Sequence, residues 1–303
     1  MKRRTVTILL LLLCIAQLRA QVFRPDSTLK ALVVIAHPDD EAAFSGTIYK
    51  ISKEHHGQVD ICVITNGEAG FKYSTLAEAY YGLNLTDEKE GRKNLPRIRK
   101  QELMNAGRII GVNNIFFLDQ QDAKNSLDEH EPLDTSWNTA LVMTRLKEIM
   151  TRTRYDFVFC LMPTPGTHAG HKAASLSALR TVKALPEAQR PVILGGSWAL
   201  KTDKTPKTYQ RLKNYAETDI VGDTALYRMD RTQPFGYNNQ LNYNIITNWE
   251  IAEHKSQGAM QNNMGRSDYE VYYLFRVNNA GAAEKARQLF EKLRVSPYVP
   301  KQY

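Results

Sequence analysis

One imidazole and three carboxylates fall within five consecutive residues, His37-Pro38-Asp39-Asp40-Glu41. So much like charge in one place is costly, and a bound divalent cation is the simplest thing that offsets it. His37 and Asp40 are three residues apart, so both side chains can reach one point. Imidazole nitrogen and carboxylate oxygen are both zinc donors. A third donor must come from elsewhere, and the pair His168 and His171, also three apart, is the best source. Spacing alone does not choose between them. Two histidines and an aspartate with an open fourth position make a catalytic rather than a structural zinc site. Such an ion acidifies water and polarises a carbonyl. Asp39, between the two donors of the first cluster, is the candidate general base. The histidine of the second pair that does not hold the ion is placed to stabilise an oxyanion or protonate a leaving amine. That set suits hydrolysis of an amide or ester. Taken singly, Asp39 or Asp40 would read as a helix N-cap, and it is the conjunction of two clusters that changes this. His55, His56 and His130 read as solvated side chains.

The elements that must position these residues belong to a parallel sheet. Leu32 to Ile35 is an apolar, mostly β-branched run, as expected of a strand covered on both faces. Pro38 cannot extend a ladder and stops it. The first cluster therefore sits at the carboxyl end of a central strand, where open α/β sheets bind ligands. Glu41 to Gly57 has helical spacing, with Phe44, Ile48 and Ile51 on one face. Val59 to Ile64 predicts a second strand and Asn114 to Leu118 a third. Asp156 to Leu161 predicts a fourth, which runs into Pro163 to His171, and Pro191 to Leu194 begins a fifth. Helices are expected at Arg97–Ile110, Trp137–Arg154, His171–Leu185, Trp249–Met260 and Ala282–Leu293. Phe71 to Pro96 reads as a flap or a surface loop. The alternation implies an α/β fold: a Rossmann-like, doubly wound, mostly parallel sheet with helices on both faces, plus a polar C-terminal extension. The Gly-x-Gly-x-x-Gly turn of dinucleotide folds is absent.

Residues 1–20 have a basic start, an apolar run from Val6 to Ala16 and a small residue at Ala20, the pattern of a secretory signal peptide. A secreted or periplasmic location follows as an expectation. Residues 21–29 read as a linker, 30–262 as the catalytic domain, less regular from 198, and 263–303 as a C-terminal segment with a packing helix. The apolar run is short for a bilayer, and the mature chain has no other stretch that would span one. Half of the net charge of +8 comes from Lys2, Arg3, Arg4 and Arg19, and no run of five or six basic residues argues for nucleic acid. Cys62 and Cys160 sit in apolar strand patterns and read as buried free thiols, with a single disulfide as the alternative. Asn84-Leu85-Thr86 matches a glycosylation acceptor.

AHPDDE at Ala36–Glu41, TNGEAG at Thr65–Gly70, IRKQEL at Ile98–Leu103, HxxH at His168–His171 and HKSQ at His254–Gln257 occur in that order. Together they resemble the LmbE-like, PIG-L type of zinc-dependent N-deacetylase, from about Ala31 to Gln257. The resemblance implies that His37, Asp40 and His171 are the zinc ligands, Asp39 the general base and His168 the partner that stabilises the tetrahedral intermediate. It implies that Arg99 and Asp122 contact substrate hydroxyls. It also implies a Rossmann-like fold and removal of acetyl groups from N-acetylglucosamine-containing molecules. The family's second motif is usually His-Pro-Asp-His. Here it is His168-Ala169-Gly170-His171, and a Tyr often found two residues before it is Gly166.

The expected activity is that of an exported hydrolase that deacetylates an N-acetylated amino sugar or glycoconjugate. Its cofactor would be Zn2+ or another divalent ion such as Fe2+. Its partner would be a small molecule or glycan. A carbohydrate-binding protein with a silent site is the alternative from another class, motivated by the aromatic, amide-rich Phe235 to Tyr243. A zinc esterase or amidase acting on another substrate is a third. Sequence leaves the oligomeric state open.

Overall fold

The computed structural model describes residues 28–298, so the expected signal peptide and most of the linker lie outside the described residues. The chain forms β1 (Lys30–Ile35), a 3-10 turn (Asp40–Phe44), α1 (Ser45–Tyr49) and β2 (Gln58–Thr65). Next come α2 (Thr75–Tyr81), α3 (Glu88–Ile110), β3 (Asn114–Gln120), α4 (Thr139–Thr153) and β4 (Phe157–Leu161). Then follow α5 (Ala169–Ala184), β5 (Val192–Ala199), β6 (Tyr227–Asp230) and the short pair β7 (Pro234–Phe235) and β8 (Leu241–Asn242). The last elements are α6 (Tyr243–Glu253), α7 (Gly258–Gln261), β9 (Tyr269–Leu274) and α8 (Ala282–Leu293).

The main sheet has the order β3-β2-β1-β4-β5-β9-β6. The first five strands are parallel, β9 runs antiparallel to β5 and β6 antiparallel to β9, so the fold is the doubly wound α/β type read from the sequence. The order reverses between β1 and β4, and the crevice at that reversal is where such sheets bind ligands. The loops after β1 and β4 carry the two histidine clusters.

Alternation along β1 builds a core on each face. Leu32 and Val34 pack with Cys62, Val158, Cys160 and the inner faces of α4 and α5. Val33 and Ile35 pack with Ile61, Val63, Phe159, Ile48 and Leu103 on the other face. Each such side chain contributes about 1.5–3 kcal/mol on burial, which makes β1 a stiff base for the cluster at its end. Cys62 and Cys160 both pair in register with Val34, on opposite sides of β1. Two strand spacings, about 9.6 Å, exceed the reach of a disulfide, and both thiols are free and buried.

Three segments differ from expectation. Phe71–Pro96 is largely helical: α2 and the first third of α3 occupy it. Pro96 lies inside α3, where it removes one hydrogen bond, yet burial of Leu95, Ile98 and Leu103 at helical spacing outweighs that loss. The Asp87 carboxylate caps the new start, accepting from the Glu90 N–H at 2.9 Å. Helix α6 stops at Glu253, so His254, Ser256 and Gln257 lie in the turn beyond it. Strand β9 has no counterpart among the expected strands. Its inward residues include Glu270, whose carboxylate accepts from Gly46 N at 2.7 Å, Thr47 N at 3.0 Å and Arg231 Nε at 2.8 Å. A core acid so fully satisfied breaks the apolar pattern without costing the strand its burial. Among the described residues, no helix is long and apolar enough to cross a membrane.

Candidate metal centre

After β1 the chain turns sharply at His37–Asp40. Asp40 Oδ2 folds back and accepts from the backbone N–H groups of Ala36 (3.0 Å) and His37 (2.9 Å). Its other oxygen is thereby aimed outward and lies 2.9 Å from His171 Nε2. His171 comes from the first turn of α5. Its Nε2 is 3.1 Å from His37 Nδ1, and His37 Nδ1 is 3.5 Å from Asp40 Oδ2. Ligands at about 2.0–2.1 Å around a tetrahedral ion lie roughly 3.3 Å from one another, so these three donors fit a zinc-sized cation.

The surroundings fit it as well. His37 Nε2 faces Asp122 Oδ1 at 3.6 Å, the carboxylate–histidine relation that orients a metal-binding imidazole. A Cβ added at Gly170 would lie 3.0 Å from His37 Nε2 and 3.2 Å from His168 Nδ1. At position 170, where the resemblance leads one to expect an aspartate, this chain has a close-packed glycine, and the carboxylate that faces His37 is Asp122, from the loop after β3. Asp122 Oδ2 is itself fixed by the Ala69 N–H at 3.2 Å.

His168 caps α5 and also turns toward the centre. Its ring and that of His37 are 4.9 Å apart between centroids. With Nε2 3.3 Å from the Lys124 carbonyl, the buried Nδ1 has no protein partner. Nitrogens of His37, His168 and His171 all lie within 4.8 Å of one another. His171 alone of the pair makes the short contact to Asp40, while the three histidines together form a second set of donors that could hold an ion.

Asp39 sits at φ 125° and ψ −17°, a conformation that costs a non-glycine residue about 1–3 kcal/mol. Two groups, the Glu41 carboxylate and the Arg99 guanidinium, hold it there. Its N–H donates to Glu41 Oε2 at 2.9 Å. Arg99 Nη2 is 3.2 Å from Asp39 Oδ1 and donates to the Pro38 carbonyl at 2.5 Å. Arg99 Nη1 also donates to the Gly67 carbonyl. Gly67 has φ 69°, and any side chain there would run into the Arg99 guanidinium, which gives the TNGEAG turn its physical reason. Arg99 is 2 % exposed, and its Nη2 braces the proposed base while Nε has no protein partner.

The charges follow from this packing. Burial pushes the Asp39 carboxyl up to about 6 against the opposing pull of Arg99. Burial also works to raise Asp40, but His171 and His37 hold it well below the ordinary range. Burial would lower His37, yet Asp122 and Asp40 outweigh it and raise the group to about 10; the carboxylates that would balance a cation hold a proton there equally well. Burial, with His37 and His171 nearby, lowers His168 to about 4, so it is a neutral imidazole with a free Nδ1.

A second cluster escaped the sequence reading. His254, from the HKSQ stretch, has Nε2 2.6 Å from Glu41 Oε1 and 3.3 Å from Glu250 Oε1, all fully buried. Ser256 bonds to Glu102 of the IRKQEL stretch through both N–H (2.8 Å) and Oγ (2.6 Å). The order of the motifs was the one available signal that these distant pieces meet. Of the tyrosines that could replace the missing family Tyr, Tyr73 lines the hollow over the donors, while Tyr81 is tied to Glu102. His130 is exposed and paired with Asp134 at 2.8 Å.

Residues 32–182 match the family profile described as PIG-L, GlcNAc-PI de-N-acetylase. The chain carries a PIG-L family domain. A probable N-acetyl-alpha-D-glucosaminyl L-malate deacetylase 2 of Bacillus cereus is 27% identical over 162 residues, covering 54% of this chain and 64% of the relative. The chain thus spans under two thirds of that relative's length. A Bacillus subtilis protein of the same name is 24% identical over 225 residues, covering 72% of this chain and 89% of its own. The PIG-L domain also has solved structural neighbours. GalB, the 4-carboxy-2-hydroxymuconate hydratase of Pseudomonas putida, has a TM-score of 0.54 at 15% identity, covering 81% of this chain and 95% of its own. A conserved protein of Thermus thermophilus has a TM-score of 0.50 at 16% identity, covering 82% and 95%. These likenesses concern the fold. With a hydratase among the neighbours, the fold does not choose a reaction, and the PIG-L site residues must.

Proposed function

We propose that the chain is an exported, metal-dependent N-deacetylase that hydrolyses the acetamido group of an amino sugar or glycoconjugate of the N-acetylglucosamine type. The observation that carries this reading is the meeting of His37, Asp40 and His171, with donor atoms 2.9–3.5 Å apart, beside the braced carboxylate of Asp39. The donor set suits zinc, with ferrous iron a second fit; either ion, once bound, supplies Lewis acidity toward the substrate carbonyl. Asp39, raised to about 6, is ionised near neutral pH and close enough to it to accept a proton from water efficiently. The protonated Asp39 then passes that proton to the departing nitrogen, and His168, a neutral imidazole whose buried Nδ1 has no protein partner, stands beside the intermediate as a hydrogen-bond partner. Arg99 and Asp122, implied by the resemblance as hydroxyl contacts, line the hollow and also hold Asp39 and His37, with Arg99 Nε left without a protein partner. Tyr73, Asn125 and Gln257 line the same hollow and share in recognising the sugar hydroxyls.

The family description and both Bacillus names refer to acetylated glucosaminyl compounds, which supports the substrate class. Export rests on the sequence of residues 1–20. The carbohydrate-binding alternative has less to stand on, since Phe235 packs on Tyr243 with centroids 4.7 Å apart and Tyr243 is buried, which leaves Tyr237 as the exposed ring of that stretch. The test is acetate release from N-acetylglucosamine, its malate glycoside and chitooligosaccharides by zinc-loaded protein, alongside a matching set of O-acetyl esters. Acetate with one equivalent of free amine is expected. Metal-loaded protein that binds these sugars and releases nothing would contradict the reading; release from the esters alone would make it an esterase.

A further inference from the structure

Two hollows meet at the donor cluster. The first, about 240 Å³, is lined by His37, Asp39, Arg99, Asp122, His168 and Gln257. The second, about 340 Å³, is lined by Leu161, Met162, Trp198, Ile251 and Met260, among others. Asp40 and His171 border both. Arg231 also borders the second, but its donors are taken by Glu270, Ser267 and the Ala42 carbonyl; the exposed Arg266 and the polar Thr164, Thr167, Ser197 and Asn263 border it as well, so the apolar side chains form one part of its wall.

We propose that the second hollow receives the acyl chain of the substrate, and that the substrate class is an amino sugar whose N-acyl group is several carbons longer than acetyl. This inference rests on the hydrolase reading above and extends its acyl group beyond acetyl. An amide presents its nitrogen on one side of the carbonyl carbon and its alkyl group on the other. Asp39, which moves the proton, and His168, its neighbour at the intermediate, line only the first hollow. The nitrogen, and the sugar behind it, must lie within their reach. The alkyl group then points past Asp40 and His171 into the second hollow. Hydrolysis adds one water across the C–N bond: the hydroxyl stays on the acyl carbon as a carboxylic acid, and the proton leaves with the nitrogen as an amine.

Size decides the length of the chain. A cavity of roughly 150 Å³ lined by apolar side chains holds a benzene ring. The second hollow is more than twice that, and a single methyl group would leave most of it to water. Trp198 is 49% exposed beside it, an apolar surface that an acyl chain would cover.

The test compares N-acetyl-, N-butanoyl-, N-hexanoyl- and N-octanoylglucosamine on the zinc-loaded protein. Octyl N-acetylglucosaminide is included because it carries its chain on the sugar instead. Within the acyl series kcat/KM is expected to rise about fourfold per added methylene until the hollow is full. Trp198→Ala removes the largest apolar side chain bordering the hollow; the octanoyl-to-acetyl ratio should fall at least tenfold. Binding is read separately in the Asp39→Asn background, where N-octanoylglucosamine should shift the tryptophan emission and Trp198→Phe should remove the shift. Measurable acetyl turnover that stays flat or falls toward hexanoyl overturns the acyl pocket and spares the deacetylase reading. A gain confined to the octyl glycoside, or a shift that survives Trp198→Phe, overturns it too. No release from any substrate ends the hydrolase reading and this inference together.

Discussion

Nε2 of His254 stands 2.6 Å from Oε1 of Glu41, and both side chains are sealed from solvent. The other oxygen of Glu41 holds the N–H of Asp39, whose backbone is strained. The pair therefore acts on the proposed base from behind, through one carboxylate. His254→Gln keeps a donor for Glu41, so the fold should survive while kcat falls roughly 10- to 100-fold with KM little changed, the range seen when partners of active-site groups are lost. His254→Ala strips a buried charge of its partner and should cost about 3–5 kcal/mol. Steady-state kinetics and thermal melts check both, and an unaltered kcat in His254→Gln would refute the positioning role.

Asp122 orients His37 from 3.6 Å. Asp122→Asn should weaken zinc affinity roughly 10- to 100-fold while leaving the sheet intact. Competition with a chelator of known affinity measures this. Unchanged affinity would show that Asp122 serves the substrate instead.

The Glu41–Glu250–His254 cluster predicts a pH dependence of stability. Burial, with Glu41 close by, raises Glu250 from 4.5 to about 8. Burial would lower His254, but Glu41 and Glu250 raise it well above 6.5. Both shifts mean that the folded state binds more protons than the unfolded chain above the ordinary pKa values. Their stabilisation is complete at low pH and is lost as pH rises: from about 4.5 to about 8 for Glu250, and above 6.5 for His254. The melting temperature should fall over this window, and Glu250→Gln should flatten the fall. A melting temperature that climbs with pH to the same extent in both proteins would contradict the protonation state assigned to Glu250.

Much of this was legible before any coordinates. The apolar runs ending in His37 and in the His168–His171 loop marked two parallel strands, because a short β-branched run stopped by proline fits a buried strand and little else. What sequence could not reveal is where polar groups are satisfied by distant partners. Glu270 hid β9 because its two N–H donors and its arginine come from Gly46, Thr47 and Arg231, far away in sequence. Pro96 suggested a helix start because local propensity was not weighed against the burial of Leu95 and Ile98. The carboxylate missing at Gly170 was visible as a gap, but its replacement by Asp122 depends on the path of the loop after β3. Arg99 was read as a substrate contact, and only the geometry of the Gly67 turn shows it gripping Asp39.

The chemistry stands or falls on two remote loops sharing one cation, with Asp39 taking the proton from water beside it. The decisive measurement is the zinc content and acetate release of Asp39→Asn, read on the same preparation. One equivalent of zinc is expected, as in the unaltered protein, with turnover reduced at least about a thousandfold, within the 10²–10⁴-fold range of general-base catalysis. Full turnover in Asp39→Asn, or zinc lost along with the activity, would rule that chemistry out.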